Sequence, residues 1–363
     1  MATLAIVALA AELWLRAHPP EPLRGRRKLV HVESGLHEYW CYPSNPNGEL
    51  ERAPELSDGP WKLLDFHLPP RELPLAELSE TPFCAEARYS SQGIRDRFYA
   101  PMPAPGTLRI AGVGDSFAIG QGVPLERTLF RHMERMLGDG FEIVNAASVG
   151  LTPRDERQVL EQVTAALGAT RGIVVFVPND IPLPAPLLER QSRINDLINV
   201  RDTSLLADAA KPWYAGGPRL LDAIGSKLDT ARVRRDTIRW YLDSYDPEQN
   251  PLGLASLAED FERMAALDGV EVVVVLYPLL VGLDRDYPLA PVHERVAELA
   301  REAGLPVLDL APAFAGRTTR ELQVHRADLH PNGAAHEIAA GAIVDWLRAD
   351  VPDFLARPPA PTE

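Results

Sequence analysis

Residues 109–117 read Arg-Ile-Ala-Gly-Val-Gly-Asp-Ser-Phe. The apolar run that ends in Gly-Asp-Ser predicts a buried strand leading directly into a tight turn. A serine in that turn is exposed at the end of a strand, where a neighbouring base can take its proton and backbone N–H groups can face the oxygen of the bond it attacks. Ser116 is therefore a candidate nucleophile, and the rest of the chain has to supply a histidine, an acid and oxyanion donors.

A histidine and an acid stand together near the C-terminus. Residues 328–333 read Asp-Leu-His-Pro-Asn-Gly, and a helical pattern follows at 334–347. This arrangement predicts Asp328 and His330 in a loop just before a helix. A structural role stays open for both parts of the pattern, because a serine in a turn also serves as a helix N-cap and a histidine before a helix also serves in packing.

Two further junctions between strand and loop lie between these ends. The predicted strand at 141–145 leads to Gly150, and the apolar run 172–177 leads to Pro-Asn-Asp at 178–180. Open α/β sheets bind ligands at the carboxyl ends of their strands, so we expect the polar residues after these strands at one edge of the sheet.

In chain order, these stretches resemble the four sequence blocks of the SGNH/GDSL hydrolase superfamily. The resemblance implies a nucleophile in Ser116, a general base in His330, an orienting acid in Asp328, and oxyanion donors in the N–H groups of Ser116 and Gly150 and the side-chain amide of Asn179. Two positions depart from the usual pattern. Val177 stands where the third block usually has glycine, and Ala327 stands at the commonest position of the acid, three residues before the histidine.

The resemblance covers about residues 105–350 and implies a flavodoxin-like, three-layer α/β/α sandwich with a central parallel sheet of about five strands. The alternation of strand and helix patterns also predicts a parallel sheet with helices on both faces. The predicted strands lie at about 107–113, 141–145, 172–178, 270–277 and 305–309. The predicted helices lie at about 124–138, 153–168, 254–267, 291–303 and 333–349.

Three functions remain open for such a chain. The first is a serine esterase that cleaves acyl or acetyl esters of carbohydrates or lipids. The second is an O-acyltransferase that uses the same residues with a sugar hydroxyl as acceptor, since the resemblance includes acyltransferase-like branches with an Asp-x-His spacing. The third is a catalytically inert binding module, against which the intact set of Ser, Asn, Asp and His argues.

Other kinds of site are not predicted. The dinucleotide fingerprint fails because its third glycine falls at Phe117, and no phosphate-binding Gly-Lys-Ser/Thr loop occurs. The histidines are scattered and the chain has 2 cysteines, so we expect no metal and no cofactor. A net charge of −14 argues against nucleic acid as a partner, which leaves a small-molecule, glycan or lipid ester as the expected substrate.

The N-terminal residues 1–16 are apolar but shorter than the roughly 20 residues of a membrane-spanning helix. An anchor or signal remnant, an incomplete signal peptide and an amphipathic first helix all remain open. The basic residues that follow favour a cytoplasmic domain. A disulfide between Cys41 and Cys84 would instead indicate an oxidising compartment, although two free buried thiols are equally ordinary. We expect membrane attachment with an extracytoplasmic domain, with a cytoplasmic location as the alternative.

Three other segments flank or interrupt the predicted hydrolase domain. Residues 17–104 form an N-terminal extension of short strands and loops, which either shapes the substrate site or only covers a sheet edge. Residues 181–251 are an insertion whose aromatic side chains suggest a lid over the site, with a packed helical decoration as the alternative. Residues 351–363 are a proline-rich tail.

Overall fold

The structure is a computed structural model. It describes residues 2–17, 27–31, 37–42, 44–52, 61–65, 72–73, 83–199, 217–326 and 328–358. The usual position of the acid, Ala327, and residues 200–216 of the insertion lie outside these ranges.

The N-terminal extension contains a helix and an antiparallel sheet. Helix α1 spans Ala2–Ala17. The strands that follow are β1 (Arg27–His31), β2 (His37–Tyr42), β3 (Glu51–Arg52), β4 (Trp61–Asp65), β5 (Glu72–Leu73) and β6 (Phe83–Arg88). They pair in the order β3-β6-β2-β1-β4-β5 within the described ranges. Cys41 and Cys84 lie opposite each other in the register of β2 and β6 and form a disulfide bond.

A second sheet of parallel strands forms the centre of the molecule. Its strands are β7 (Leu108–Gly114), β8 (Phe141–Asn145), β9 (Arg171–Phe176), β10 (Glu271–Leu276) and β11 (Val307–Asp309). Among the described residues their order is β11-β10-β9-β7-β8, and every neighbouring pair is parallel. The strand that leads to Ser116 therefore lies between the strands that lead to Gly150 and Asn179.

The helices after β7 are α2 (Leu129–Leu137), α3 (Pro153–Leu167), α4 (Ala185–Asn199), α5 (Arg219–Ser244), α6 (Pro251–Ala265), α7 (Ala290–Glu302), α8 (Thr319–Leu322) and α9 (Gly333–Asp350). Of these, α2 and α9 pack on one face of the sheet, and α3, α6 and α7 pack on the other. Side chains of β7 alternate between two hydrophobic cores, as a period of two residues requires. Ile110 packs in the core that includes residues of α2 and α9, and Val113 packs in the core that includes residues of α3, α6 and α7. The predicted three-layer α/β/α sandwich is thus confirmed.

Local signals explain where elements differ from the sequence patterns. The pattern at 124–138 divides into a 3-10 turn, Leu125–Arg127, and α2, because Thr128 between them has an extended backbone. Helix α6 begins at Pro251, earlier than the predicted residue 254, because the Asn250 side chain accepts a hydrogen bond from the Gly253 N–H.

The segment predicted as a loop before α9 is instead a short hairpin. Strands β12 (Gln323–His325) and β13 (Asp328–Pro331) pair antiparallel. Strands of three and four residues are too short to show a periodic hydrophobic pattern, which is why the sequence did not predict them.

The insertion packs against the rest of the chain through α4 and α5. Trp240 is buried against Leu187, whose carbonyl oxygen accepts the indole N–H at 2.9 Å. Tyr245 is buried as well, so the aromatic side chains predicted to form a face of the insertion point inward. Helix α1 also contacts α5, and the Leu220 N–H donates to Glu12 Oε2 at 2.7 Å. A role as a lid stays a prediction.

Within the part of the chain that the structure describes, no helix has the length and apolarity that a membrane crossing requires. Membrane attachment of the N-terminus stays a prediction.

Candidate active site

Ser116 lies at the carboxyl end of β7, in a turn that only glycine can begin. Gly114 has a φ of +153°, and a Cβ there would lie 2.8 Å from the carbonyl oxygen of Val175. The turn is closed by Asp115, whose carboxylate accepts the Phe117 N–H at 2.8 Å. Ser116 is half-buried in this turn, at the edge of the sheet.

His330 and Asp328 meet Ser116 from β13. The Oγ of Ser116 lies 2.8 Å from Nε2 of His330, and Nδ1 of His330 is hydrogen-bonded to Oδ1 of Asp328. The same carboxylate oxygen accepts the backbone N–H of His330 at 3.2 Å. Because side chains two residues apart in a strand project from the same face, an Asp-x-His spacing brings the two groups together here. The three predicted catalytic residues are therefore in contact.

The hydroxyl of Ser116 has two acceptors within reach but one hydrogen. Its oxygen lies 3.3 Å from Oδ2 of Asp115 and 2.8 Å from the imidazole of His330. A carboxylate only accepts hydrogen bonds, so the bond to Asp328 places the imidazole hydrogen on Nδ1 and leaves Nε2 as an acceptor. The shorter contact is thus the one along which the serine proton can move.

Of the predicted oxyanion donors, Asn179 contacts the turn of Ser116, and Gly150 lies in the neighbouring turn after β8. The Nδ2 of Asn179 donates to Oδ2 of Asp115 at 2.9 Å and, at 3.3 Å, to Oδ1 of Asp180. Gly150 has a φ of +79° in the turn after β8, and that turn is held beside β7 because the Ser148 N–H donates to the Gly114 carbonyl at 3.1 Å.

The Gly150 N–H is open for a ligand. It has no hydrogen-bond acceptor among the described residues, and neither has the N–H of Ser116. Both groups are thus available to a bound oxygen atom, as an oxyanion donor has to be. No hydrogen bond of the described chain joins Gly150 to Ser116, His330 or Asn179.

A buried group of carboxyls lies beside the site. Burial, followed by the negative charge of Asp115, raises the pKa of both Glu156 and Asp180 well above the ordinary carboxyl range. No group of His, Cys, Asp or Glu in the described ranges is arranged to hold a metal ion.

The sequence did not predict one residue that reaches the catalytic group. Tyr42, at the end of β2, donates its phenol hydrogen to Oδ2 of Asp328 at 2.7 Å, and its side chain is fully buried. The only signal in the sequence was the aromatic run from Tyr39 to Tyr42, which carries no indication of a partner near residue 328.

Comparison with known proteins identifies the family of this chain. The family model described as GDSL-like lipase/acylhydrolase matches residues 113–338, which is more than half of the chain. The chain belongs to this family. Membership identifies a hydrolase of acyl esters in general and leaves the substrate open. No protein with a curated description matches the sequence.

Several solved structures are similar to this GDSL-like chain at low identity. A lipase/acylhydrolase from Enterococcus faecalis is 15% identical, covers 70% of this chain and 100% of its own, and gives a TM-score of 0.38. The inhibitor-bound form of an M. smegmatis aryl esterase is 15% identical, with coverages of 67% and 99% and a TM-score of 0.37. A carbohydrate acetylesterase family member from Sinorhizobium meliloti is 13% identical, with coverages of 67% and 98% and a TM-score of 0.34. The family assignment depends on the family model and not on these similarities.

Proposed function

We propose that this protein is a serine hydrolase that cleaves acyl or acetyl esters of carbohydrates or lipids through an acyl-enzyme on Ser116. The observation that carries the proposal is the distance of 2.8 Å between Ser116 Oγ and His330 Nε2, with Asp328 bonded to the other ring nitrogen. This is the geometry of a nucleophile, its base and the group that orients the base.

The first half of the reaction forms the acyl-enzyme. His330 Nε2 takes the proton of the Ser116 hydroxyl while Oγ bonds to the carbonyl carbon of the ester, and the carbonyl oxygen becomes an oxyanion. Asp328 stabilises the imidazolium that results. The imidazolium then gives its proton to the oxygen of the departing alcohol as the bond between carbon and that oxygen breaks.

The oxyanion is bound by the N–H groups of Ser116 and Gly150 and by the Asn179 amide. The two backbone groups are open, and the Asn179 amide is held by Asp115, so its longer contact of 3.3 Å with Asp180 is the one that an oxyanion would replace. Donors held in place before the reaction lower the barrier because they need no reorganisation when the charge develops.

The second half releases the acid. Water gives a proton to His330 Nε2 and attacks the acyl carbon, and the proton then returns to Ser116 Oγ as the acyl bond breaks. If a sugar hydroxyl replaces the water, the same residues transfer the acyl group, which is the O-acyltransferase alternative.

Hydrolysis of p-nitrophenyl acetate tests the proposal. We expect turnover by the wild type, a loss of at least about a thousandfold in kcat for Ser116→Ala, and an unchanged kcat for Ser91→Ala, which removes an exposed hydroxyl elsewhere. Equal activity of Ser116→Ala and wild type contradicts the assignment.

Two further measurements separate the alternatives. Mass spectrometry of the peptide containing Ser116, after incubation with candidate acyl donors, identifies the acyl group that the serine accepts. The ratio of acylated sugar to free acid, measured with added sugar acceptors, distinguishes the transferase from the esterase. Absence of labelling by a fluorophosphonate probe would indicate the inert binding module.

A further inference from the structure

The N-terminal extension supplies a hydrogen bond to the catalytic group. We propose that Tyr42 is a positioning residue that keeps the carboxylate of Asp328 hydrogen-bonded to the ring of His330, so that the extension completes the active site. This inference rests on the proposed function, because it assigns Tyr42 a role in the same proton transfer.

The two oxygens of Asp328 have different donors. Oδ1 receives the ring and backbone N–H groups of His330, and Oδ2 receives the phenol hydrogen of Tyr42 at 2.7 Å. Asp328 is 3% exposed and Tyr42 is fully buried. A buried carboxylate requires donors at both oxygens, and donors on opposite sides also fix the plane of the carboxylate. Tyr42 therefore restricts the rotation that would turn Oδ1 away from the imidazole.

Tyr42 is itself held by rigid neighbours. It pairs with Phe83 across β2 and β6, and the disulfide between Cys41 and Cys84 joins the same two strands one residue earlier. The phenol approaches the backbone of Gly122 so closely that a Cβ there would lie 2.5 Å from its oxygen. The hydroxyl position is thus defined from several sides.

The residues that follow Tyr42 bind the hairpin that carries Asp328 and His330. Ser44 Oγ lies 3.0 Å from Nε2 of His325, and the Asn47 amide donates to the carbonyl oxygen of Gln323 at 2.8 Å. Glu49 accepts the N–H of Gly333 at 2.8 Å. The extension thereby contacts β12, β13 and the start of α9, and Tyr42 reaches the catalytic acid.

The alternative is that Tyr42 only stabilises the fold, and a matched variant separates the two roles. Tyr39 lies in the same strand, is 9% exposed, and donates a hydrogen bond of 3.2 Å to Glu86. Tyr39→Phe therefore removes a phenol hydroxyl from β2 without changing the surroundings of Asp328. Tyr42→Phe removes the hydroxyl that faces Asp328 and keeps the ring, which packs against His325 with ring centroids 5.5 Å apart.

Steady-state hydrolysis of p-nitrophenyl acetate by the full chain is the test. We expect Tyr42→Phe to lower kcat about 10- to 100-fold with KM unchanged, because a hydrogen bond to a charged group is lost from a residue that does not touch the substrate. Tyr39→Phe should stay within about twofold of the wild type. Tyr42→p-aminophenylalanine, which places an N–H donor near the same oxygen, should recover most of the lost kcat.

The outcomes distinguish this inference from the proposed function. A kcat of Tyr42→Phe equal to that of Tyr39→Phe, or a change confined to KM, overturns the role of Tyr42 while Ser116→Ala remains inactive. Full activity of Ser116→Ala overturns the proposed function itself. If Tyr42→Phe does not fold, Tyr42→p-aminophenylalanine alone decides: kcat near that of the wild type supports the role, and a folded but inactive protein contradicts it.

Discussion

The buried imidazole of His336 predicts a loss of stability in mild acid. His336 lies in α9 and is fully buried, and neither ring nitrogen has a hydrogen-bond partner among the described residues. Burial, and then the positive charges of neighbouring histidine and arginine side chains, lowers its pKa to about 3. The native protein therefore keeps this side chain neutral at pH values where the unfolded chain protonates it.

The difference in the pKa of His336 between the native and unfolded states sets the size of this loss of stability. In the unfolded chain the pKa of His336 is 6.5, and in the native state it is about 3. Since the native pKa is the lower one, the stabilisation is complete above pH 6.5 and is lost as the pH falls towards about 3, by about 1.4 kcal/mol for each pH unit. At pH 5, roughly 1.5 units below the unfolded value, the loss is about 2 kcal/mol.

Urea unfolding at pH 7 and pH 5, followed by tryptophan fluorescence, measures this loss. His336→Leu has nearly the same volume and removes no hydrogen bond within the described structure, so it should fold. We expect the free energy of unfolding of the wild type to fall by about 2 kcal/mol more than that of His336→Leu between the two pH values. Equal losses in the wild type and His336→Leu would refute the reasoning.

Substitutions at three more positions have defined outcomes. The pKa of Glu156 is raised by burial and by Asp115, so wild-type stability falls as the pH rises above 4.5. In urea titrations Glu156→Gln should therefore lose less stability than the wild type between pH 4.5 and pH 7. Gly112→Ala would place a Cβ 2.4 Å from the Phe130 ring, and we expect about 1–3 kcal/mol of destabilisation as a lower thermal midpoint, whereas an unchanged midpoint would contradict the packing. Arg95 is buried and donates to four backbone carbonyl oxygens, so Arg95→Leu should lower the free energy of unfolding by at least about 3 kcal/mol. Arg95→Lys should be destabilised as well, because an ammonium lacks the planar fork of a guanidinium. A urea midpoint equal to that of the wild type for either variant would disprove this.

The central sheet could be predicted because its signals are local. Strands such as β10 are continuous apolar runs between turn residues, and buried parallel strands are recognised by this composition alone. The boundaries were less predictable where one side chain decides them. The Asn250 cap moves the start of α6 to Pro251, and the extended backbone of Thr128 divides the first predicted helix after β7.

The catalytic group was predictable in composition but not in its surroundings. Ser116 and His330 follow from their sequence blocks, whereas the contact of Tyr42 with Asp328 joins residues 286 positions apart. That contact depends on the register of an antiparallel sheet and on how the sheet packs against the hairpin, and no local pattern encodes either. The pairing of Cys41 with Cys84 belongs to the same class, because it follows from the register of β2 and β6.

The unusual spacing of acid and histidine and the role proposed for the N-terminal extension have one physical origin. Two residues of separation bring the side chains of Asp328 and His330 to the same face only if the segment is a strand. A hairpin strand as short as β13 is stable only when other parts of the chain pack against it. The extension provides it, because Asn47 binds β12, Tyr42 binds the acid and Glu49 binds the first residue of α9. A chain lacking residues 1–104 would lose these three hydrogen bonds. We therefore expect the extension and the catalytic hairpin to unfold together, even though the sequence predicts a boundary near residue 104.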